Sequence, residues 1–452
     1  MDWDPEVGEI FKKLVAQVPD QFRPMVEPLL HDTAEKKCVE RNAGVVNNDD
    51  LITALFDITP EPFKAQAIDN CKAIGIDPQR YIELKEVQAQ YKLSWEKFGK
   101  AFHPGNKHFA MYITDRCNQK CLHCAADSQE HRQELSTDRW IQIVENLESG
   151  LRKEGRRGVY IWFGGEPTCR QDLPELIKYC GDKGYHQALI TNGILFDEDL
   201  AKFCADNGMG HLFVSFDSAD PAKNDKIRGV PHSLEHAKKA VENALKYGIF
   251  ACGSTTVMKQ NINELEDIKK MAEEWGAAPY FRAVVKQKKA AENWDEIGLS
   301  TEEYKKLYDF KYTHVIDAIR EGKGEALPIY SIFEMVPFME KPLNNKELTA
   351  LEWGVGCQAC RIFNGIDVNG DVFPCGYPSN LILGNALTDS FEDIMNSQIY
   401  KDIRDRKRNG KCAGCHHLDL CGGGCRVHAE CDTGDFFASF SYCWHQNDHD
   451  HA

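Results

Sequence analysis

The stretch that organises the chain is Ile113-Thr-Asp-Arg-Cys-Asn-Gln-Lys-Cys-Leu-His-Cys-Ala-Ala126. It places Cys117, Cys121 and Cys124 in a C-x3-C-x2-C array, directly after an apolar run that predicts a strand ending in a loop. Three thiolates at this spacing can each bind one iron of a [4Fe-4S] cluster, which normally takes four. With no fourth cysteine close by, one iron would stay open to a substrate or cofactor. A zinc site or three unrelated thiols is the alternative interpretation.

Length and composition narrow the class of protein. A chain of 452 residues predicts two or three domains. The formal net charge of −16 argues against nucleic acid as a partner, because binding a phosphate backbone needs clustered Lys and Arg. No apolar run reaches the roughly 18 residues of a membrane span, and the first residues lack the basic and apolar regions of a signal peptide. We therefore expect a cytoplasmic protein, in which closely spaced cysteines favour metal binding over disulfides.

The hydrophobic pattern predicts three domains. Residues 1–104 predict a helical domain without strands, beginning with an N-cap and first-turn proline at Asp4 and Pro5. Residues 105–335 alternate strands with helices, which predicts parallel β/α units. Residues 336–452 contain the second group of cysteines. The predicted strands are 109–114, 159–163, 187–191, 211–216, 251–258 and 279–285, and the helices between them lie near 137–154, 172–183, 197–207, 234–247 and 262–275.

Glycines and polar residues follow three consecutive predicted strands. Gly-Gly-Glu-Pro-Thr at 164–168 follows the second strand, and its glycines allow a ligand to approach the backbone. Thr-Asn-Gly at 191–193 follows the third strand, and Ser-Phe-Asp-Ser at 215–218 follows the fourth. In β/α barrels the chemistry gathers at the C-terminal ends of the strands. These motifs are therefore predicted to form one site with the cysteine triplet.

The triplet and these motifs together resemble the radical S-adenosylmethionine (radical SAM) family, an α/β fold built on a partial (β/α)6 TIM-type barrel. The resemblance implies that the methionine part of SAM chelates the open iron. It further implies that an electron from the cluster cleaves the sulfonium, and that the resulting 5'-deoxyadenosyl radical abstracts hydrogen from a substrate. Flavodoxin or ferredoxin is the implied electron donor, and an anaerobic cell is the implied setting.

The resemblance also assigns residues to the cofactor site. Arg228 corresponds to a family arginine that pairs with the methionine carboxylate, a bidentate contact that Lys would make poorly. No catalytic acid or base is identified. The implied cluster ligands are Cys117, Cys121 and Cys124, and the implied SAM contacts are Gly164, Gly165, Glu166, Pro167, Thr191, Asn192, Ser215, Asp217 and Arg228.

A second group of cysteines occupies the last domain, with the spacing C-x9-G-x4-C, a gap, C-x2-C-x5-C-x3-C, a gap, and a final C. This register resembles the SPASM extension of radical SAM proteins, which holds two auxiliary [4Fe-4S] clusters. Many relatives have C-x-A-G where this chain has Cys357-Gln-Ala-Cys360, which aligns Cys357 with the usual ligand and puts Cys360 in place of the glycine; whether both cysteines bind iron is left open. The resemblance implies Cys360, Cys375 and Cys425 with Cys357 for one cluster, and Cys412, Cys415, Cys421 and Cys443 for the other.

Three functions remain open. Most radical SAM proteins with complete SPASM domains modify a peptide or protein, so a maturase is the first hypothesis. Tetrapyrrole modification, as in the alternative haem pathway, is the second; it is prompted by Cys121-Leu-His-Cys and by Cys425-Arg-Val-His-Ala. An iron–sulfur electron carrier that does not use SAM is the third.

Overall fold

The computed structural model of the protein describes residues 1–40, 44–60, 63–76, 78, 106–125, 132–320 and 356–444. The chain divides into two compact units, residues 1–89 and 90–452. The predicted domain boundaries near 104 and 335 lie outside the described residues and stay predictions.

The described part of the first unit is mainly helical, as predicted. Helix α1 begins where expected, because the Asp4 side chain accepts hydrogen bonds from the backbone N–H groups of Glu6 and Val7. The prediction of no strands was wrong: β1 (Asp2–Trp3) pairs in parallel with β2 (Val45–Val46). Two-residue strands are too short to produce an alternating pattern in the sequence. The helices are α1 (Pro5–Ala16), α2 (Arg23–Glu40), α3 (Asn48–Ile58) and α4 (Lys64–Ala73).

The second unit is built on six consecutive parallel strands, each paired with the next. All six predicted strands are present, with ends shifted by at most two residues, because alternating buried strands and amphipathic helices are a strong local signal. The pairing runs in chain order from β3 to β8, as in a partial barrel. The strands are β3 (Lys107–Thr114), β4 (Gly158–Gly164), β5 (His186–Thr191), β6 (Met209–Ser215), β7 (Phe250–Val257) and β8 (Ala278–Ala283).

The helices between the six barrel strands follow the predicted order, with one addition. Helix α8, which ends at Arg228, was not predicted; it is short and strongly polar, so it lacks an apolar periodicity. The helices between the strands are α5 (Thr137–Lys153), α6 (Leu173–Asp182), α7 (Glu198–Asp206), α8 (Pro221–Arg228), α9 (Ser233–Lys246) and α10 (Leu265–Glu274). After β8 come α11 (Lys288–Glu292), α12 (Trp294–Ile297) and α13 (Thr301–Arg320).

The strands separate a helix-covered layer from an interior face. In β3, Phe109, Met111 and Ile113 pack into the large core with the helices, whereas Ala110 and Tyr112 pack in a smaller cluster with Phe163 and Phe373. This alternation follows from the two-residue period of a strand. The interior face therefore carries its own set of side chains, and this face contains the candidate site.

The C-terminal cysteine region joins the same sheet. Strand β9 (Phe363–Ile366) pairs in parallel with β3, and β10 (Asp371–Phe373) and β11 (Gly384–Asn385) continue the sheet, which has nine strands within the described ranges. Gly370, with φ +87°, forms the tight turn between β9 and β10. The helices that follow are α14 (Phe391–Asn396), α15 (Gln398–Arg404), α16 (Leu418–Cys421) and α17 (Arg426–Thr433).

A buried lysine fixes this junction. The Nζ atom of Lys107, at the start of β3, donates to the carbonyl of Cys360 at 2.8 Å and to the Tyr400 hydroxyl at 2.6 Å. Tyr400 in turn contacts the Asn364 side chain at 3.1 Å. The first segment of the cysteine region is therefore held against the barrel by buried hydrogen bonds.

None of the described helices is both long and apolar enough to cross a bilayer.

Candidate cofactor site and auxiliary metal centres

The cysteine triplet lies in the loop after β3, and helices from distant parts of the chain hold that loop. The backbone N–H of Leu122 donates to the carbonyl of Ile227, at the end of α8, at 2.9 Å. The side chain of Asn293 donates to the Leu122 carbonyl at 2.9 Å. Cys117, Cys121 and Cys124 are all partly buried and are free thiols. The loop therefore has a fixed backbone in which three thiols share one region.

The donors around the thiols fit an iron–sulfur cluster, whose sulfurs accept hydrogen bonds. The backbone N–H of Gln119 lies 3.4 Å from Cys117 Sγ, and Arg228 Nη1 lies 3.9 Å from Cys121 Sγ. Burial raises the pKa of the Cys117 thiol to about 12 and that of Cys121 to about 11. Iron replaces those protons, because the thiolate is the metal ligand. Within the described ranges, no three His, Cys, Asp or Glu side chains are grouped to hold a single metal ion; in a cluster each thiolate binds a different iron.

The glycine pair at 164–165 is required by the cysteine loop itself. A Cβ atom on Gly164 would lie 2.2 Å from the Thr114 carbonyl oxygen, and one on Gly165 would lie 2.4 Å from the Arg116 carbonyl oxygen. In their absence, Gly165 N–H donates to the Thr114 carbonyl at 2.8 Å and Glu166 N–H to the Arg116 carbonyl at 2.7 Å. The glycines thus allow the turn after β4 to pack directly on the loop that carries the cysteines.

Glu166 connects this turn to the end of β5. Its fully buried carboxylate accepts hydrogen bonds from the Thr191 hydroxyl at 2.8 Å and from the Asn192 N–H at 2.7 Å, and also from both the N–H and the hydroxyl of Thr168. Burial raises the pKa of Glu166, although these hydrogen bonds oppose the shift. Asn192 then reaches the cysteine loop through Asn118, at 2.6 Å. Three strand ends are therefore linked into one hydrogen-bonded unit.

Asp217 is the centre of a second buried cluster. Its Oδ2 atom lies 2.7 Å from His123 Nε2 and 2.8 Å from Arg228 Nε, the latter an ion pair without good hydrogen-bond alignment. Its Oδ1 atom accepts from Thr256 N–H at 2.8 Å. Arg228, together with His123 and these hydrogen bonds, lowers the pKa of Asp217 against the effect of burial. Arg228, which the sequence assigned to the SAM carboxylate, is thus paired here with Asp217 and lies beside Cys121.

The remaining predicted contacts lie at the same edge of the sheet. Pro167 is buried in a short 3-10 turn after β4, and Ser215 is half-buried at the end of β6 beside Ser254 of β7. The sequence around His123 indicates no role for it, because its partner Asp217 lies 94 residues away in the chain. The roles of the predicted SAM contacts stay predictions.

Three residues of the second group of cysteines line one cavity on the interior face of the sheet: Cys357, Cys375 and Cys425. The cavity has a volume of about 100 Å³. Cys360 is not among the lining residues, but it lies close enough to Cys357 and Cys375 for electrostatic interaction. Its φ of +58° is left-handed, a conformation that favours glycine. This backbone geometry supports the alignment in which Cys360 replaces the glycine of the C-x-A-G pattern.

Cys412 and Cys421 of the other set lie beside a run of left-handed glycines between α16 and α17. Gly422, Gly423 and Gly424 have φ of +68°, +80° and +73°. Cys412 Sγ lies 4.0 Å from the Gly423 carbonyl, and Cys443 is exposed near the end of the described chain. Arg408 donates to the Gly422 carbonyl at 2.9 Å and interacts with both Cys357 and Cys412. The two sets of cysteines are therefore neighbours, with arginine charge between them.

One functional candidate was missed from the sequence. Arg282 belongs to a predicted strand, but only the structure shows that it lines the cavity with the cysteines and lies 4.1 Å from the centre of the Tyr377 ring. Its position one residue before the end of β8 gives no local signal of that neighbourhood.

Comparisons with known proteins agree with this site. Residues 111–272 match the model of the radical SAM superfamily, and residues 357–416 match the model of the SPASM iron–sulfur cluster-binding domain. The chain is similar to the AdoMet-dependent heme synthase of Methanosarcina barkeri, with 29% identity over 343 residues, covering 74% of this chain and 95% of the relative. It is also similar to the mycofactocin maturase MftC of Mycolicibacterium smegmatis, with 28% identity over 320 residues, covering 69% of this chain and 76% of the relative.

The fold is similar to that of Streptococcus suis SuiB bound to S-adenosylmethionine, with a TM-score of 0.55 and 17% identity, covering 88% of this chain and 91% of that one. The two matched domains use S-adenosylmethionine and [4Fe-4S] clusters as cofactors. The chain belongs to the radical SAM superfamily of enzymes and carries a C-terminal SPASM domain.

Proposed function

We propose that the protein is a maturase that cleaves SAM reductively and modifies a peptide or protein substrate by hydrogen abstraction. The observation that carries the proposal is the linkage of the cysteine loop, the turn at 164–168 and the residues after β5 by hydrogen bonds at one edge of the sheet. When bound there, SAM supplies a 5'-deoxyadenosyl radical. All other parts of the proposed mechanism concern what the chain's own residues bind and orient.

The residues around the triplet have separate roles in this proposal. Cys117, Cys121 and Cys124 hold three irons and leave the fourth open to the cofactor. The backbone of the glycine turn and the groups after β5 contact the methionine part of SAM, and Glu166 keeps both segments in position through its buried hydrogen bonds. Arg228 and Asp217, together with Ser215, complete the pocket from the β6 side.

The second cysteine field has a supporting role. We assign Cys357, Cys375 and Cys425 to one auxiliary cluster, with Cys360 in the place of a glycine, and Cys412, Cys415, Cys421 and Cys443 to the other. In the second set four thiolates leave no open iron, so that cluster serves electron transfer rather than substrate ligation. Flavodoxin or ferredoxin is the proposed source of the electron for SAM cleavage.

The substrate class is the finer part of the proposal. Similarity to MftC, whose name states that it is a maturase, favours a peptide substrate. A tetrapyrrole is the second candidate, favoured by similarity to the AdoMet-dependent heme synthase over nearly the whole length of that relative. The two candidates share the SAM chemistry and differ in what the barrel interior must hold.

The cofactor chemistry is tested by anaerobic reconstitution with iron and sulfide, followed by incubation with SAM and dithionite. We expect 5'-deoxyadenosine from the wild type. Cys121→Ala is expected to abolish it and to retain roughly eight of about twelve irons, because only the cluster of the triplet is lost. Cys204→Ala, which removes a buried thiol of α7 far from both cysteine fields, is the matched control and should retain all irons. Deoxyadenosine production by Cys121→Ala would contradict the proposal.

The substrate is tested with deuterated candidates. Transfer of deuterium from a labelled peptide into 5'-deoxyadenosine supports the maturase function. Transfer from a labelled porphyrinoid with none from peptides would assign the enzyme to tetrapyrrole modification instead.

A further inference from the structure

The cavity beside the auxiliary cysteines has an unusual distribution of charge. Much of its wall is apolar or aromatic, including Ile161, Phe163 and Ile190 from the interior face of the sheet. Among its cationic side chains, Arg426 is fully occupied by backbone carbonyls, among them those of Gly424 and Phe436. Arg282 is different, because its contacts within the described part of the chain are with aromatic rings.

Arg282 is held by stacking and has no carboxylate partner among the described residues. Its guanidinium lies 4.1 Å from the centre of the Tyr377 ring and 5.7 Å from that of Tyr280. The groups that act on it electrostatically are Tyr280, Tyr377, Cys375 and Tyr112, none of which is a carboxylate. Arginine is charged at every pH at which the protein is folded. A partly buried charge of this kind is costly unless an anion pairs with it.

The position of Arg282 relates it to both kinds of cluster site. Tyr112 interacts electrostatically with Cys124 of the triplet, with Cys375 of the auxiliary set and with Arg282. Its hydroxyl donates to the Gly376 carbonyl at 2.7 Å, next to Cys375. Arg282 therefore lines the interior of the barrel beside Tyr112, which interacts both with the proposed SAM site and with an auxiliary cluster site. A substrate must occupy this space if it is to meet the radical.

We infer that Arg282 binds a carboxylate of the substrate inside the barrel. The planar guanidinium presents paired N–H donors that match the two oxygens of a carboxylate, and stacking on Tyr377 fixes its plane in advance. The aromatic wall suits an apolar group next to that carboxylate. The inference rests on the proposed function and adds the chemical class of the group that the substrate presents.

The test compares ligands that differ only in the carboxylate. N-acetyl-alanyl-phenylalanine with a free C-terminus, and the same dipeptide as its carboxamide, are titrated into anaerobic holoenzyme with SAM and followed by calorimetry. A propionate-bearing porphyrin and its methyl ester form the second arm. The proteins are the wild type, Arg282→Gln, Arg282→Lys and the matched control Arg139→Gln, whose arginine is exposed on α5 and bonded only to Gln142 among the described contacts.

We expect the wild type and Arg139→Gln to bind the free acid at least about tenfold more tightly than its neutral counterpart, the difference expected of a charge-assisted hydrogen-bonded pair. Arg282→Gln should lose this preference, and Arg282→Lys should retain a part of it, because Lys keeps the charge without the fork. A preference for the acid only in the porphyrin arm supports the role of Arg282 and moves the proposed substrate to tetrapyrroles.

Two results would overturn the inference. One is an unchanged preference for the acid in Arg282→Gln, or no preference in the wild type in either arm. The other is that Arg282→Gln loses auxiliary iron while Arg282→Lys prefers the free acid as strongly as the wild type does. This pair of results would mean that Arg282 is a counter-ion of the auxiliary cluster. Deoxyadenosine formation is measured in the same preparations, so that failure of the SAM chemistry is distinguished from failure of carboxylate binding.

Discussion

The pair formed by Asp217 and Arg228 gives a quantitative prediction. Asp217 is completely buried, and Arg228 is 6% exposed. Replacement of Asp217 by Asn preserves an oxygen for the Thr256 N–H but removes the charge that faces Arg228 Nε at 2.8 Å. Breaking a buried ion pair by removing one partner costs about 3–5 kcal/mol, because the other charge stays buried without compensation.

For Asp217→Asn we expect a loss near the lower end of that range, about 3 kcal/mol, because Arg228 also lies 3.9 Å from Cys121 Sγ and keeps that contact. The measurement is anaerobic guanidinium unfolding followed by the fluorescence of the buried Trp140 and Trp162. The double variant Asp217→Asn/Arg228→Met should recover at least about 2 kcal/mol of the sum of the single losses, since it leaves no unpaired charge.

The control is Asp206→Asn, which breaks an exposed pair with Lys202 and should cost less than about 1 kcal/mol. The reasoning is refuted if Asp217→Asn is as harmless to the free energy of unfolding as Asp206→Asn. If Asp217→Asn is harmless to stability but abolishes SAM binding, Asp217 contacts the cofactor directly, as the family resemblance implied.

Three further predictions follow from other contacts. Gly165→Ala puts a Cβ atom 2.4 Å from the Arg116 carbonyl oxygen, so we expect this variant to lose the iron of the cysteine triplet and the formation of deoxyadenosine. Gly8→Ala on α1 is the control and should keep both, because no atom lies within 4 Å of the added Cβ. Retained turnover in Gly165→Ala would refute the packing argument. Cys360→Gly should keep all auxiliary iron, because glycine adopts the left-handed backbone of this position without strain, whereas Cys357→Ala should lose a cluster; the reverse iron contents would make Cys360 the ligand. Burial lowers the pKa values of His108 and His211 to about 3. Between pH 6.5 and 3 the unfolded state therefore binds more protons than the folded state, and the free energy of unfolding decreases as the pH is lowered, by about 3 kcal/mol for the pair from pH 7.5 to 5.5. Leu at both positions should remove that part of the slope in guanidinium titrations, whereas replacing the exposed His232 by Asn should not.

Features that depend on local pattern were predictable from the amino-acid sequence alone. All six barrel strands and the start of α1 at Asp4 and Pro5 were predicted from residues within a few positions of one another. The two cysteine registers likewise identified the family before any coordinates, because cluster ligation constrains spacing along the chain. Local periodicity and ligand spacing depend on residues close together in the chain, so both can be recognised in a single sequence.

The contacts between these parts are visible only in the three-dimensional structure. It joined β9 to β3 in one sheet, gave Glu166 its partners after β5, and paired Asp217 with Arg228 and His123. It also brought Arg282 into the cavity lined by Cys357, Cys375 and Cys425. Each of these contacts joins segments far apart in the chain, and its free energy comes from burial of charge and hydrogen bonds, which depends on what surrounds a residue in space rather than on its neighbours in sequence.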